Sequence, residues 1–324
     1  MNTATKLGAF ALGLVVVFGG AYGAGQLVGP GAPVEPAHDK DSGGHNAGHD
    51  VPATSDPTGG IRPGGLMVSD RGYTLTPATA AAGEFAFRII GPDGQPVTAF
   101  DVEHEKRMHL IVARRDLSGF RHVHPELSPD GTWRVTSPLG KPGSWRAFAD
   151  FKPTGGEALT LGVDVAVPGA FTPKPLPTPT TTATVDGYTV TLDGTLTPGT
   201  TSKLTLNVSR DGDPVTDLQP YLGAYGHLVA LRDGDLAYLH VHPDGTPGDG
   251  KTQPGPAITF HTEVPSSGTY RLFLDFQHGG VVRTAEFTLT AGPTGETPHP
   301  TGVTEETPSS TGPATPAPTG HSHN

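Results

Sequence analysis

The chain contains no cysteine, which excludes disulfides, thiolate metal sites and the lipid-modified cysteine of a bacterial lipoprotein. Methionine is nearly as scarce, and Met1, Met67 and Met108 are too few for a thioether-rich Cu(I) site. Met108, beside His109, is the one exception in position, and Gly226 replaces it in the second copy of the pattern described below. Charged residues make up only 16% of the 324, with 21 Lys and Arg against 32 Asp and Glu and a formal net charge of -11. A nucleic-acid partner needs a basic face that displaces counterions, so this balance argues against one and makes cations the natural small partners. A Ser/His/Asp triad order, a phosphate-cradling glycine loop and paired catalytic carboxylates are all missing, so the chain is read as not an enzyme.

Glycine and proline are plentiful, 46 and 34 residues. With few long helix-forming runs, this composition points to short strands joined by turns and an all-β class. Residues 1–30 hold an uncharged apolar run, Gly8 to Val28, preceded by Lys6. About 21 residues at roughly 1.5 Å each span a bilayer core, so a transmembrane helix is expected, with the bulk of the chain outside the cytoplasm. A cleaved signal peptide, with a small-residue site near Ala21-Tyr22-Gly23, is the competing reading and would leave the protein secreted.

Residues 31–61 are Gly, Pro, Asp and His with almost nothing apolar to bury, and are expected to form a disordered tether. Residues 171–183 form a Pro/Thr linker, and residues 292–324 return to Pro, Thr, Gly and Ser as a disordered tail. Between them lie two blocks, 62–170 and 184–291, each the size of an immunoglobulin-like β-sandwich domain. Their strand signals correspond. Gly72-Tyr73-Thr74-Leu75 matches Gly187-Tyr188-Thr189-Val190, and the turn Asp93-Gly94-Gln95-Pro96-Val97-Thr98 matches Asp211-Gly212-Asp213-Pro214-Val215-Thr216.

The same register carries a duplicated histidine pattern: His109, His122, Val123, His124, Pro125, and again His227, His240, Val241, His242, Pro243. In a strand, residues two apart share a face, so His122 projects with His124 and His240 with His242. A tight turn follows each first histidine. With two-residue loops, the pairing sums set His109 opposite His124 and His227 opposite His242, where Cβ atoms are roughly 4.5 to 5.5 Å apart. Two imidazoles at that separation can share one metal through bonds of about 2.0 to 2.1 Å.

An aspartate also recurs, in Phe148-Ala149-Asp150-Phe151 and Phe273-Leu274-Asp275-Phe276. A carboxylate in an apolar strand asks for a cation or hydrogen-bond partner. Asp150 and Asp275 are expected either to ligate metal or to orient an imidazole, with a salt bridge to Arg114, Arg146, Arg232 or Arg271 as the bland alternative. Imidazoles with a carboxylate suit Cu(II), Zn or Ni. His38, His45, His49, His299, His321 and His323, in the tether and tail, could collect metal loosely, and His104, His261 and His278 have no counterpart in the other copy.

The run Pro96-Val97-Thr98, Met108-His109, Gly131-Thr132-Trp133 and Pro142-Gly143-Ser144-Trp145-Arg146 resembles the YtkA-like extracytoplasmic β-sandwich modules and, more loosely, the CopC-like copper-binding proteins. The resemblance implies a secreted or membrane-attached role in handling copper or another heavy metal. This chain has neither the amino-terminal histidine nor the Met-rich stretch of the CopC-like proteins, which leaves the metal open. His122-Val123-His124 also resembles the copper strand of Cu/Zn superoxide dismutases, but the zinc loop and cysteine pair are missing. Cupins place a glutamate further along the strand than Glu126, so cupin chemistry is set aside.

The expectation is a membrane-anchored protein that binds a transition metal, copper ahead of zinc, through His109, His122, His124 and Asp150 in one copy and His227, His240, His242 and Asp275 in the other. A non-catalytic structural or protein-interaction module with structural histidines is the alternative. A dismutase-like copper enzyme ranks below both.

Overall fold

A computed structural model describes residues 63–292, all within one compact unit, Val51–Asn324. The expected membrane segment, tether and tail, with their six histidines, lie outside the described residues, as do the side chains of His240 and His242. Among the described residues no helix is long and apolar enough to cross a membrane, and every named element is a strand.

The first repeat comprises β1 (Ser69–Asp70), β2 (Tyr73–Ala78), β3 (Glu84–Ile90), β4 (His109–Arg114), β5 (Arg121–Val123), β6 (Glu126–Leu127), β7 (Thr132–Thr136), β8 (Gly143–Phe151) and β9 (Leu159–Val167). They form two antiparallel sheets, β1-β2-β3-β7-β6 and β5-β4-β8-β9. The chain changes sheet after β3, after β5 and again after β7, the strand order of immunoglobulin-type sandwiches. Leu75, Phe87, Ile89 and Trp133 of one sheet meet Leu110, Val112, Ala147 and Leu161 of the other to make the core. Gly162 permits a close approach on the outer side of β9: a Cβ there would stand 1.9 Å from the Gly65 carbonyl oxygen, so any side chain would push away the segment that precedes β1.

The second repeat comprises β10 (Thr182–Val185), β11 (Tyr188–Asp193), β12 (Thr201–Arg210), β13 (Asp213–Pro214), β14 (His227–Arg232), β15 (Tyr238–Pro243), β16 (Ala257–Glu263), β17 (Gly268–His278) and β18 (Val281–Ala291). Its strands run β10-β11-β12-β16-β15-β14-β17-β18, with β13 on β12. Here β15 stays continuous and pairs with β14 along its body and β16 at its end, through His242↔His261 and Pro243↔Phe260. In the first repeat the same crossing is broken into β5 and β6 around His124 and Pro125.

Strand β4 is buried along its whole length, and its alternate residues explain why. Leu110 and Val112 face the core of their own sandwich, while Ile111 and Ala113 join Leu117, Phe120 and Phe148 in a second apolar cluster with Val229, Leu231, Leu236, Tyr238 and Phe273 of the other repeat. The two sandwiches therefore pack sheet against sheet. Phe120 stacks on Phe273 with ring centres 4.0 Å apart and planes within 5°. The equivalent pair with the repeats exchanged, Tyr238 on Phe148, lies 5.5 Å apart. This exchange of roles is the mark of a pseudo-two-fold seam.

The linker lies against the first repeat instead of standing clear of it. Arg114 sits 5.1 Å from the Phe171 ring centre, Asp116 accepts a hydrogen bond from the Lys174 backbone N–H at 2.8 Å, and Leu176 packs against the seam cluster.

Candidate metal centre

Hairpin register brings the first histidine set together. The ladder pairs Leu110↔Val123, Ile111↔His122 and Val112↔Arg121, and one further step in that register sets His109 across from His124. The second hairpin pairs Leu228↔Val241 and Val229↔His240, which by the same step sets the His227 backbone across from His242. The connections, Arg115–Phe120 and Asp233–Ala237, are longer than the two-residue turns expected, yet the register is the one expected. The pairing sums are unchanged because the ladders stop short of the turns, leaving the residues nearest each turn unpaired in the ladder.

The rings of His109, His122 and His124 have centres 5.3, 5.0 and 4.8 Å apart for the pairs 109/122, 109/124 and 122/124. Imidazoles on one tetrahedral ion, with bonds of about 2.0 to 2.1 Å, have centres roughly 5 Å apart. One nitrogen from each ring lies within 4.8 Å of the other two. His109 Nδ1 and His122 Nε2 are 3.1 Å apart, close to the about 3.3 Å that two ligands of such an ion adopt.

The other nitrogen of each of these two rings is already tied. His109 Nε2 lies 3.0 Å from the Glu103 carbonyl oxygen, and His122 Nδ1 lies 3.0 Å from Asp275 Oδ2. Carbonyl and carboxylate oxygens only accept, so these ring nitrogens must carry the protons. In neutral rings the facing nitrogens, His109 Nδ1 and His122 Nε2, are then both lone pairs. Two lone pairs do not attract at 3.1 Å, so the arrangement calls for a cation or a proton between them. The buried His124 Nε2 adds a third acceptor with no hydrogen-bond partner.

Asp275 belongs to the second repeat, yet it orients a histidine of the first. Its Oδ1 accepts from Thr284 Oγ1 at 2.6 Å, which aims Oδ2 at His122. Asp150, which pairs with His109 in the β4/β8 register, takes hydrogen bonds from Thr160 Oγ1 at 3.1 Å and from Tyr238 OH of the second repeat at 3.2 Å. Neither carboxylate supplies a member of the three-nitrogen group. The arginines considered as their partners are engaged elsewhere: Arg114 with Ser118, Arg146 with Gly65 and Asp164, Arg232 with Asp235, and Arg271 with Glu286.

The second repeat's His227 is held like His109. Its Nε2 donates to the Tyr221 carbonyl at 2.8 Å, and Tyr221 occupies the place of Glu103 at the first residue of the equivalent turn. His227 reaches the first set across the seam, 6.4 Å from His122 between ring centres. His104 also joins the cluster, 6.1 Å from His109 and 5.6 Å from His227. The duplication does not mark it, because Leu222 stands in its place in the second repeat. Of the other unduplicated histidines, His278 bridges Tyr188 OH and Asp217, and His261 stands 3.8 Å from Asp244.

Burial lowers the His124 imidazole from its ordinary range to about 2, and the rings of His122 and His109 and the charge of Lys106 push the same way. Burial likewise takes His227 down to about 3, against the raising effect of its bond to Tyr221 and with help from His122, His104 and His109. Both rings stay neutral in the folded chain where the unfolded chain binds protons on them, below about pH 6.5. Their stability contribution is intact above that pH and declines as pH falls from about 6.5 toward 3. Each proton of difference tilts stability by about 1.4 kcal/mol per pH unit; His227 approaches this, and the partly exposed His124 adds less. The urea midpoint of the metal-free chain should fall between pH 7 and 4, and His227→Gln should flatten that slope. Parallel slopes in the two proteins would remove His227 as the cause.

The described residues thus form tandem antiparallel β-sandwiches with a histidine cluster at their seam. The chain belongs to the family described as a domain of unknown function (DUF8832), which matches twice, over residues 68–169 and 183–292. Comparison with curated proteins finds no match. Among solved structures, the FN1–FN3 domains of chicken CNTN1 align at 11% identity and a TM-score of 0.18, over 70% of this chain and 68% of that one. A putative membrane anchored protein from Corynebacterium diphtheriae aligns at 12% identity and a TM-score of 0.20, over 69% of this chain and 60% of that one. At these scores the likenesses add nothing to the strand order already described.

Proposed function

We propose that this is a non-enzymatic, membrane-anchored extracytoplasmic protein that binds a transition metal, copper in preference to zinc, through its duplicated histidines. His109, His122 and His124 are the ligands of the first site, with Asp275 fixing the tautomer of His122; carboxylate-backed imidazoles are the usual outer support of a metal site. His227, His240 and His242 are the corresponding set of the second repeat. Asp150 and Asp275 are assigned the orienting role instead of direct ligation. The observation that carries this reading is the convergence of one nitrogen from each of His109, His122 and His124 within 4.8 Å of the others, with His109 Nδ1 and His122 Nε2 3.1 Å apart and the buried His124 Nε2 beside them. Copper is favoured because the donors are imidazoles with thiolates wholly absent, and because of the resemblance to YtkA-like and CopC-like modules.

Calorimetric titration of the full chain with Cu(II) and with Zn(II) tests this. Saturable binding is expected for the natural chain, and a variant with His109, His122 and His124 all replaced by alanine should lose the tighter phase. Equal binding by the two proteins would sink the proposal.

The same 3.1 Å separation also fits one shared proton between His109 and His122, which supports a second reading as a structural corner. In that case the triple substitution lowers Tm equally with and without a chelator, and metal does not raise it.

A further inference from the structure

We propose that the two repeats build one dinuclear centre across their seam, and that His104 is a ligand of the second ion together with His227. This rests on the metal-binding reading above and goes beyond it in three respects: the two sites are adjacent, they are unequal, and each depends on the opposite repeat.

The adjacency follows from the seam. The pairs Phe120/Phe273 and Phe148/Tyr238 exchange roles between repeats, so the sheet faces bearing the two histidine hairpins are turned toward each other. His122 and His227, from different repeats, have ring centres 6.4 Å apart. A metal sits about 3 Å from the centre of a ligating imidazole, so ions held by these two rings are at most about 12 Å apart.

The inequality follows from His104. It stands on the two-residue turn that closes the Glu103/Lys106 bridge, and the two central residues, His104 and Glu105, have φ of 46° and 63°. Positive φ at both central residues is what a tight two-residue hairpin turn requires, so the turn itself fixes where the His104 side chain starts. The second repeat keeps the turn, at φ of 54° and 75°, but fills it with Leu222 and Gly223, and Leu222 is buried. The first repeat therefore offers an imidazole where its sister offers an apolar side chain. That imidazole lies nearer to His227 of the other repeat, at 5.6 Å, than to His109 of its own, at 6.1 Å. The 5.6 Å spacing is within a small ring rotation of the roughly 5 Å expected for a shared ion.

The cross-dependence follows from Asp275, which holds His122 from the far side of the seam. The first ion thus takes its orienting carboxylate from the second repeat, and the second ion takes His104 from the first.

The test uses the full chain with His38, His45, His49, His299, His321 and His323 replaced by alanine, titrated with Cu(II) and followed by calorimetry and electron paramagnetic resonance. Two ions per chain are expected, with the second addition broadening the lines of the first through dipolar coupling. His104→Leu, which installs the sister repeat's residue, should weaken the second ion about tenfold or more and leave the first within about threefold. Asp275→Asn should weaken the first by roughly 10- to 100-fold, with circular dichroism confirming that both variants fold. A single ion per chain, two ions with unbroadened spectra, or no effect of His104→Leu would overturn the dinuclear centre while leaving metal binding intact. An absence of saturable binding would instead remove the reading on which it rests.

Discussion

Saturating Cu(II) raises the Tm of the full chain by roughly 8–16 °C, and replacing His109, His122 and His124 with alanine abolishes most of that rise. The magnitude follows from linkage. A ligand that binds only the folded state at about 1,000 times its Kd stabilises by about 4 kcal/mol, and each kcal/mol moves Tm by roughly 2–4 °C in a structure of this size. The three rings come together only in the folded chain, because His109 is on β4 while His122 and His124 lie across the hairpin. The unfolded chain scatters them and binds far more weakly. Metal also resolves the opposed lone pairs of His109 and His122, which the folded chain holds 3.1 Å apart. Differential scanning calorimetry with and without a chelator measures the effect. A rise of the same size in the triple variant would assign it to other histidines of the chain and defeat the site.

Phe273→Ala costs about 3–5 kcal/mol of folding stability, the range for deleting a fully buried aromatic ring, and it weakens metal binding as well. Phe273 is 1% exposed and lies flat on Phe120 of the other repeat, so its loss opens a cavity in the seam and not in either sandwich core. Asp275 stands two residues further along β17, on the same face of the strand, and reaches His122 across that seam. Loosening the seam moves the carboxylate away from the imidazole it orients. Phe87→Ala provides the control: Phe87 is equally buried but belongs to the first sandwich's own core, so it should cost similar stability with a much smaller effect on metal affinity. Urea denaturation and copper titration of the two variants separate these outcomes. If Phe87→Ala and Phe273→Ala weaken copper binding equally, the seam has no special part in the site.

Much of the hairpin geometry was legible in the residues themselves. The spacing of His109, His122 and His124 set a pairing sum that the Leu110↔Val123 ladder obeys, even though the turn proved longer than two residues. A strand alternates its faces residue by residue, so once that pairing sum holds the three rings fall on one face. The repeat also pointed to Asp150 and Asp275, but not to the partner of either. Each was placed with the histidines of its own repeat, whereas Asp275 holds His122 and Asp150 receives Tyr238 from across the seam.

The signal for that seam was present in the unbroken apolar stretches Leu110 to Ala113 and Leu228 to Leu231. Strands with no polar alternation are covered on both faces. Such a pattern says that a second cover exists without saying which segment supplies it. His104 gave still less notice. It has no counterpart in the second repeat, so only its placement beside His227 brings it to attention.

Taken alone, the amino-acid order determined the all-β class, the two repeated blocks and the grouping of His109, His122 and His124 on one sheet face, because periodicity of two and turn chemistry act between near neighbours. Only the tertiary structure decided that the two sandwiches meet sheet against sheet, that the carboxylates cross from one repeat to the other, and that His104 enters the cluster. Those facts depend on which apolar face covers which, and that choice is made by the complementary shapes of Phe120, Phe148, Tyr238 and Phe273 in three dimensions, not by any local pattern along the chain.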